Sequence, residues 1–417
     1  MAHAVDILRT GAWLTRERVK LVVFGLIAAS LIAVVYVVAT SDGLNDRFGR
    51  PLGTDFSNVY AAGTYVLDGN AAAAFDPPRQ YAREQAIFGA ATPFYGWHYP
   101  PYFLGLAALL AAMPYALALA LWQGVTFALY LWVTRAILNT GRARALADPL
   151  WLPLVIGFPA VFVNLGHGHN GFLTAALFGA ALLQLDRKPI LAGVLFGCIA
   201  YKPQFGLLVP IVLAASGRWR AFIAAATTVA VLTIAVTLAF GLDIWSAFLA
   251  STRFTRAVVL EQGETGWHKI QSVFSVVRMW GGGIPLAYAV QGAVTLAVAG
   301  GLVWLWRSRA SFAIKAAALA IGIILATPYS LDYDLMLLAP AIAFLAADGM
   351  QRGFHPWQKS LLAALWLVPI LARPASQAML IPLAVPAMLV AFSWLLRRAM
   401  TQTGTKTLWP FAIRPLK

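Results

Sequence analysis

An all-α polytopic membrane protein is the fold class this sequence predicts, and three observations predict it. The 417 residues are 60% hydrophobic and only 11% charged, whereas a soluble domain carries about 25% charged residues. Mean hydropathy is +0.74, which is more apolar surface than one soluble core can hide. The apolar residues fall into repeated runs of spanning or near-spanning length, with basic residues clustered between them. That clustering explains the formal net charge of +15 through topology rather than through nucleic acid. The single cysteine, Cys198, excludes an intramolecular disulfide.

In chain order, residues 1–20 form a polar lead-in carrying Arg9, Arg16, Arg18 and Lys20. The apolar run 21–39 follows without an A-x-A-like cleavage site, so a retained signal anchor is expected rather than a cleaved signal. Spans are expected near 21–40, 115–138, 150–165, 171–185, 190–201, 203–215, 219–240, 285–306, 312–327, 334–347, 360–373 and 377–396. This is a bundle of about 12 helices, each needing roughly 20 residues to cross the hydrocarbon unless packed among others. Several runs are shorter than that, and short helices suit a bundle that encloses a cavity.

With the N-terminus placed in the cytoplasm and the spans alternating, every inner loop carries Lys or Arg, among them Arg142, Arg144, Arg187, Lys188, Arg218, Arg220, Arg307, Arg309 and Lys359. The apolar segment 99–113 breaks this pattern if it spans, because Arg135, Arg142 and Arg144 would then face out. It is therefore expected to lie in the outer interface, with Pro100 and Pro101 at its start. Two large outer loops result, 41–114 and 241–284. Helices are expected at 55–67, near 78–89 and, amphipathic, at 268–280. The whole reads as one transmembrane domain, 21–398, with a basic cytoplasmic tail, 399–417.

Within these loops a few polar residues stand out. Thr54-Asp55 precedes the apolar pattern Phe56, Val59, Tyr60 and Tyr65. Asp55 can cap a helix, act as a general base near the bilayer, or do both. Trp97-His98-Tyr99 closes the first outer loop, and its aromatics suit interfacial anchoring. Gly166-His167-Gly168-His169-Asn170 holds an H-x-H pair, but no nearby Cys, Glu or Asp completes a metal site, so a polar turn lining a cavity is expected, with Asn170 capping the next helix. Lys202 precedes Pro203 inside an apolar stretch; it either snorkels at a turn or meets an anionic phosphate. Thr327–334 (T-P-Y-S-L-D-Y-D) brings Asp332 and Asp334 to the outer face, as caps or as acceptor contacts. Arg253, Arg256, His268, Lys269 and Arg278 add positive charge on that side. No P-loop, dinucleotide fingerprint, H-E-x-x-H or G-x-S-x-G occurs, which argues against ATP-driven transport, zinc proteolysis and the usual serine hydrolases.

Several of these residues, in their order and spacing, resemble glycosyltransferase family 87: Asp55-Phe56 with Tyr60-Ala61-Ala62, then Tyr99-Pro100-Pro101, then Gly166–171, Gly193, Gly197, Lys202-Pro203-Gln204 and Arg218-Trp219-Arg220. The resemblance covers roughly 50–345. It departs at 331–334, where many relatives carry a tryptophan and paired histidines, and at 166–170, where relatives often have a Gly-Gln pair. It implies a GT-C fold and an enzyme similar to the mannosyltransferases that extend phosphatidylinositol mannosides, with a polyprenyl-phosphate sugar as donor and no nucleotide sugar. It also implies that Asp55 is the catalytic base.

On that footing the expected reaction is an inverting transfer of a hexose, mannose by the resemblance, to a lipid or glycan hydroxyl at the outer face. No cofactor or metal is expected, and the setting is a bacterial inner membrane. Lys202, then Arg256 and Arg278, are expected to meet the donor phosphate; Tyr60, His98, His167, His169, Asn170, Asp332 and Asp334 are expected to orient sugar or acceptor. A secondary transporter would instead show inverted repeats and coupling carboxylates at the midplane, and no repeat is visible. A flippase without chemistry would need Asp55 only as a cap.

Overall fold

The computed structural model describes residues 2–140 and 144–403; Arg142 and most of the basic tail lie outside the described residues. Among these residues every regular element is helical, and the only β-type pairings are isolated bridges. The helices are α1 Ala2–Thr10, α2 Arg16–Ala39, α3 Thr54–Leu67, α4 Pro77–Phe88, α5 Leu104–Ala111, α6 Tyr115–Asn139 and α7 Arg144–Ala147. Next come α8 Trp151–Ile156, α9 Pro159–His167, α10 Gly171–Gln184, α11 Pro189–Cys198, α12 Pro203–Gly206, α13 Leu208–Ala215 and α14 Trp219–Phe240. The last third holds α15 Asp243–Phe254, α16 Val273–Met279, α17 Ile284–Arg307, α18 Phe312–Leu325, α19 Leu338–Arg352, α20 Gln358–Met379 and α21 Ala384–Thr403.

Six segments among the described residues are long and apolar enough to cross a membrane: Arg16–Ala39, Tyr115–Asn139, Trp219–Phe240, Ile284–Arg307, Asp332–Arg352 and Gln358–Met379. The sequence predicted about twice as many. Much of the difference lies in shorter apolar helices, of which Gly171–Gln184 and Phe312–Leu325 are buried inside the bundle; the span expected at 377–396 is divided between the end of α20 and α21, which starts at Ala384. α18 has nearly every side chain buried, whereas α2 is almost bare of protein contacts. A helix enclosed by others has no lipid thickness to match, so its length follows the cavity it serves.

Proline sets one of the breaks. The span expected at 150–165 is two helices, α8 and α9, split at Phe158-Pro159. Proline removes an amide donor and frees carbonyls in the preceding turn. Trp366 Nε1 donates to Leu154 O at 2.9 Å and Tyr130 OH donates to Val155 O at 3.1 Å, so those carbonyls are satisfied away from lipid.

α6 and α10 run from one end of the bundle, at Tyr115 and Gly171, to the other, where Thr140, Asp186, Ser311 and Asp348 line one cavity of about 260 Å³. Ion pairs Arg16–Asp148 (2.9 Å) and Arg218–Asp186 tie helix ends on loops assigned by the charge pattern to the inner side. In the 41–114 segment α3 and α4 fall where expected, and the helix expected within 99–113 is α5, which follows a turn at Pro101–Phe103 and packs on α3. The predicted amphipathic helix at 268–280 is broken. A turn at Trp267–Lys269 and α16 flank an extended piece, which bridges Ile270 to Leu331 and places Gln271 N 2.6 Å from Ser330 O.

Gly63 fixes the approach of α3 to α5. A Cβ there would lie 2.1 Å from Ala107 O and 2.7 Å from Ala111 Cβ, so backbone, not a movable side chain, blocks it. Gly63→Ala is expected to lower stability by about 1–3 kcal/mol, the usual toll of overpacking. Thermal unfolding in detergent checks this; a variant as stable as wild type would mean that α5 can shift freely.

Candidate active site

Two left-handed glycines bring the site together. Gly53, at φ 66°, precedes α3, and Gly168, at φ 61°, ends α9. They face each other closely: a Cβ on Gly168 would meet Phe56 Cβ at 2.7 Å and Gly53 O at 3.1 Å. Trp122 Nε1 donates to Gly168 O at 3.0 Å and Tyr115 OH donates to Leu52 O at 2.5 Å, so α6 holds both turns. Neither Thr54 nor Asp55 caps α3. Gly53 occupies the cap position and no side-chain cap bond forms. The capping expectation is thereby corrected: the left-handed glycine starts the helix, and the side chains of the first turn are free for other partners.

Those partners come from α9. His167 Nδ1 lies 2.9 Å from Thr54 Oγ1 and 3.6 Å from Asp55 Oδ1. The Asp55 side chain is 19% exposed, open enough to meet a substrate. Two residues on, past the turn at Gly168, His169 is buried; its Nε2 lies 2.9 Å from Tyr99 OH and its ring stacks on Tyr333 with centroids 3.5 Å apart. Tyr333 also meets His167 edge-on at 5.6 Å, so it stands against both histidines. Asn170 occupies the cap position of α10 as expected, but makes no cap bond. Instead, Asn164 Oδ1 accepts from Gly171 N at 2.7 Å, and both polar atoms of the Asn170 side chain are buried without a protein partner.

The two aspartates after Pro328 take opposite partners. Asp334 Oδ1 lies 2.5 Å from Lys202 Nζ and its Oδ2 accepts from Leu331 N at 2.9 Å. Asp332 Oδ1 accepts from Tyr333 N at 2.9 Å and its Oδ2 pairs with Arg373 at 3.2 Å. Lys202 therefore does not snorkel; it is buried and neutralised in place.

Arg256 and His98 belong to a second part of the site. A cavity of about 180 Å³ is lined by His98, Tyr99, Thr255, Arg256, Leu260 and Tyr329, among others. Arg256 sits in a π-helical stretch, Thr255–Glu261, contacts Glu261 at 3.4 Å and keeps 68% of its side chain exposed. His98 Nδ1 lies 2.9 Å from Thr255 Oγ1, and burial holds this imidazole down to about 4, so it is neutral at pH 7. Two expected residues stand apart. Tyr60 donates its hydroxyl to Met113 O at 2.9 Å, at the α5–α6 junction. Arg278 donates to Gly282 O and Glu261 O and stacks on Trp267, so it knits the 241–284 segment.

A family model described as glycosyltransferase family 87 matches residues 97–328, more than half of the chain. The chain belongs to glycosyltransferase family 87. No curated protein and no solved structure matches it. The stretch matched to the family takes in His98, His167, His169, Asn170, Lys202, Arg256 and Arg278; Asp55 precedes it, and Asp332 and Asp334 follow it.

Sequence reasoning missed three residues in or behind this candidate site. Arg373 was absorbed into an expected span, although an arginine within an apolar helix is itself a signal. Lys269, noted only as loop charge, is pushed below the usual lysine range by burial and by Arg373, while Asp332 and Asp55 oppose that shift, so it shares the field of all three. Glu84 gave no signal at all. It is fully buried and accepts from Tyr95 N and Gly96 N, both at 3.0 Å, and from Gln80 Nε2 at 3.2 Å, pinning the segment that carries His98 and Tyr99.

Burial pushes the Glu84 carboxyl up to about 7 despite those donors. A carboxyl raised on folding holds its proton more tightly in the folded state. Its contribution to stability is thus fully present below the ordinary value of 4.5 and is lost as pH rises through about 7. The loss amounts to roughly 3 kcal/mol at 1.36 kcal/mol per unit. Wild type is expected to melt at lower temperature at pH 8 than at pH 5.5, and Glu84→Gln to show a flatter profile; parallel profiles would dismiss Glu84 as the titrating group.

Proposed function

We propose that this glycosyltransferase moves a hexose from a polyprenyl-phosphate sugar to a hydroxyl of a lipid or glycan acceptor, with inversion, at the outer face of a bacterial inner membrane. In this reading both termini are cytoplasmic. The observation that carries it is the placement of Asp55: a partly exposed carboxylate, free of any capping duty, where the ends of α3 and α9 meet the Asp332–Arg373 pair. Asp55 takes the proton of the acceptor hydroxyl as that oxygen attacks the anomeric carbon. The bond from that carbon to the phosphate oxygen breaks on the opposite face, and its electron pair leaves on the lipid phosphate.

A phosphate leaves readily once its charge is matched. Arg256, exposed at the mouth of the 180 Å³ cavity, is the first cation proposed to do so. Lys269, which feels Asp55, Asp332 and Arg373, and Arg373, which pairs with Asp332, are added to it. Lys202, committed to Asp334, supports the site from behind, and Arg278, committed to loop carbonyls, takes no part in it. His98, His169, Asn170 and Asp332 remain the proposed sugar and acceptor contacts; His167 faces Asp55, Asp334 is paired with Lys202, and Tyr60 stands apart at the α5–α6 junction. Mannose is the proposed sugar.

The test is a donor panel. Purified protein is given polyprenyl-phosphate mannose, polyprenyl-phosphate glucose or nucleotide sugars, with membrane lipid extract as acceptor. Transfer from a polyprenyl-phosphate sugar alone is expected. Transfer from nucleotide sugars, or none from any lipid-linked donor, would overturn the reading.

A further inference from the structure

Asp55 and His167 come from opposite ends of their helices. Asp55 lies in the first turn of α3, where the helix dipole favours an anion; His167 is the last residue of α9, where it favours a cation. The glycine pair Gly53 and Gly168 locks these two ends together. Nδ1 of His167 faces Thr54 Oγ1 and Asp55 Oδ1, at 2.9 and 3.6 Å, and the imidazole is 25% exposed, so a proton on it has a way to water. The other charged and titratable groups facing it are Asp332 and Tyr333 from the 332–337 turn, Arg373 from α20 and His169 beyond its own helix end.

We propose that His167 is a proton relay that clears Asp55 after each sugar transfer. This rests on Asp55 being the general base. In the transfer the acceptor O–H bond breaks and its proton goes to Asp55; Asp55 must lose that proton before it can serve the next acceptor. A neutral imidazole is more basic than a carboxyl group, so the proton passes from Asp55 Oδ1 to His167 Nδ1 and the imidazolium then yields a proton to water. The relay requires the tautomer in which Thr54 Oγ1, 2.9 Å from Nδ1, donates to it in the resting state and leaves that nitrogen free to accept from Asp55. The 3.6 Å separation has only to close by a fraction of an ångström, as catalytic hydrogen bonds do when substrate binds. A relay of this kind is needed for turnover and not for the first transfer, which separates it from a sugar contact.

The test uses polyprenyl-phosphate mannose and whichever acceptor the donor panel yields, with wild type, His167→Gln, His167→Ala and Asp55→Asn. His167→Gln is expected to keep its single-turnover rate within about threefold of wild type while steady-state kcat falls about tenfold or more. The acid limb of the wild-type kcat profile, within the range of about pH 5 to 8 where histidines titrate, is expected to vanish in that variant. Added imidazole is expected to restore kcat in His167→Ala. An unchanged kcat and pH profile in His167→Gln would overturn the relay, as would equal losses in single and multiple turnovers with the wild-type profile kept. An active Asp55→Asn would instead sink the general-base reading on which the relay stands, and is recognised separately.

Discussion

Lys202→Met is expected to destabilise the protein by about 3–5 kcal/mol, and Asp334→Asn by a similar amount, because each leaves its partner as an uncompensated charge inside the bundle. Lys202 is 4% exposed and Asp334 3% exposed, and their atoms meet at 2.5 Å. Around them stand Tyr333 and Phe205, whose rings lie 5.4 and 5.6 Å from Lys202 Nζ. A lone charge there has nowhere to go. The double variant Lys202→Met/Asp334→Leu removes both charges and is expected to recover most of the loss. The remainder, about 1–3 kcal/mol, is the hydrogen bond from Leu331 N that Asp334 Oδ2 accepts. A double-mutant cycle read by thermal unfolding in detergent measures the coupling. Additive losses would show that the pair is not coupled. The pair also fastens the 331–334 turn, and with it Tyr333, to the α10–α12 side of the bundle, so activity is expected to follow stability across the cycle.

The helices of the 41–114 segment were legible in the sequence because each announces itself locally. α3 has apolar residues at helical spacing, α4 has Asp76 before Pro77 at its start, and the 101–111 segment is too short and too ill-fitting to the charge pattern to span. Long-range pairing was not legible. Lys202 and Asp334 are 132 residues apart, and Arg373 reaches Asp332 from a helix that reads simply as apolar. The start of α3 was misread for a physical reason. Thr and Asp are good caps, and the sequence cannot show that the glycine before them has already turned the chain into the left-handed region. Likewise Pro159 was visible, but the partners that make a break there tolerable, Tyr130 and Trp366, belong to distant helices.

That misreading sharpens the second large expectation. Asp55→Asn is expected to lower kcat by about 10²–10⁴-fold, the usual yield of a positioned acid or base, or roughly 3–5 kcal/mol of barrier at 1.36 kcal/mol per decade. Were Asp55 a cap, the amide would still cap and little would change. Gly53 holds the cap position instead, so the substitution touches the fold only through the helix dipole, at about 0.3–1 kcal/mol, and through the contact with His167. KM for the donor is expected to hold, because the amide keeps the size of the side chain and its place in the first turn of α3, while kcat carries the loss. Asp55→Glu moves the carboxylate outward by one methylene and is expected to fall between the two. Its charge is intact, but its distance from the acceptor oxygen is wrong, and a shift of that size can itself cost about 10²-fold. If Asp55→Asn turns over like wild type with unchanged stability, the base lies elsewhere, and Asp332 becomes the next carboxylate to replace. Its Oδ2 faces Arg373, whereas Asp334 is already neutralised by Lys202.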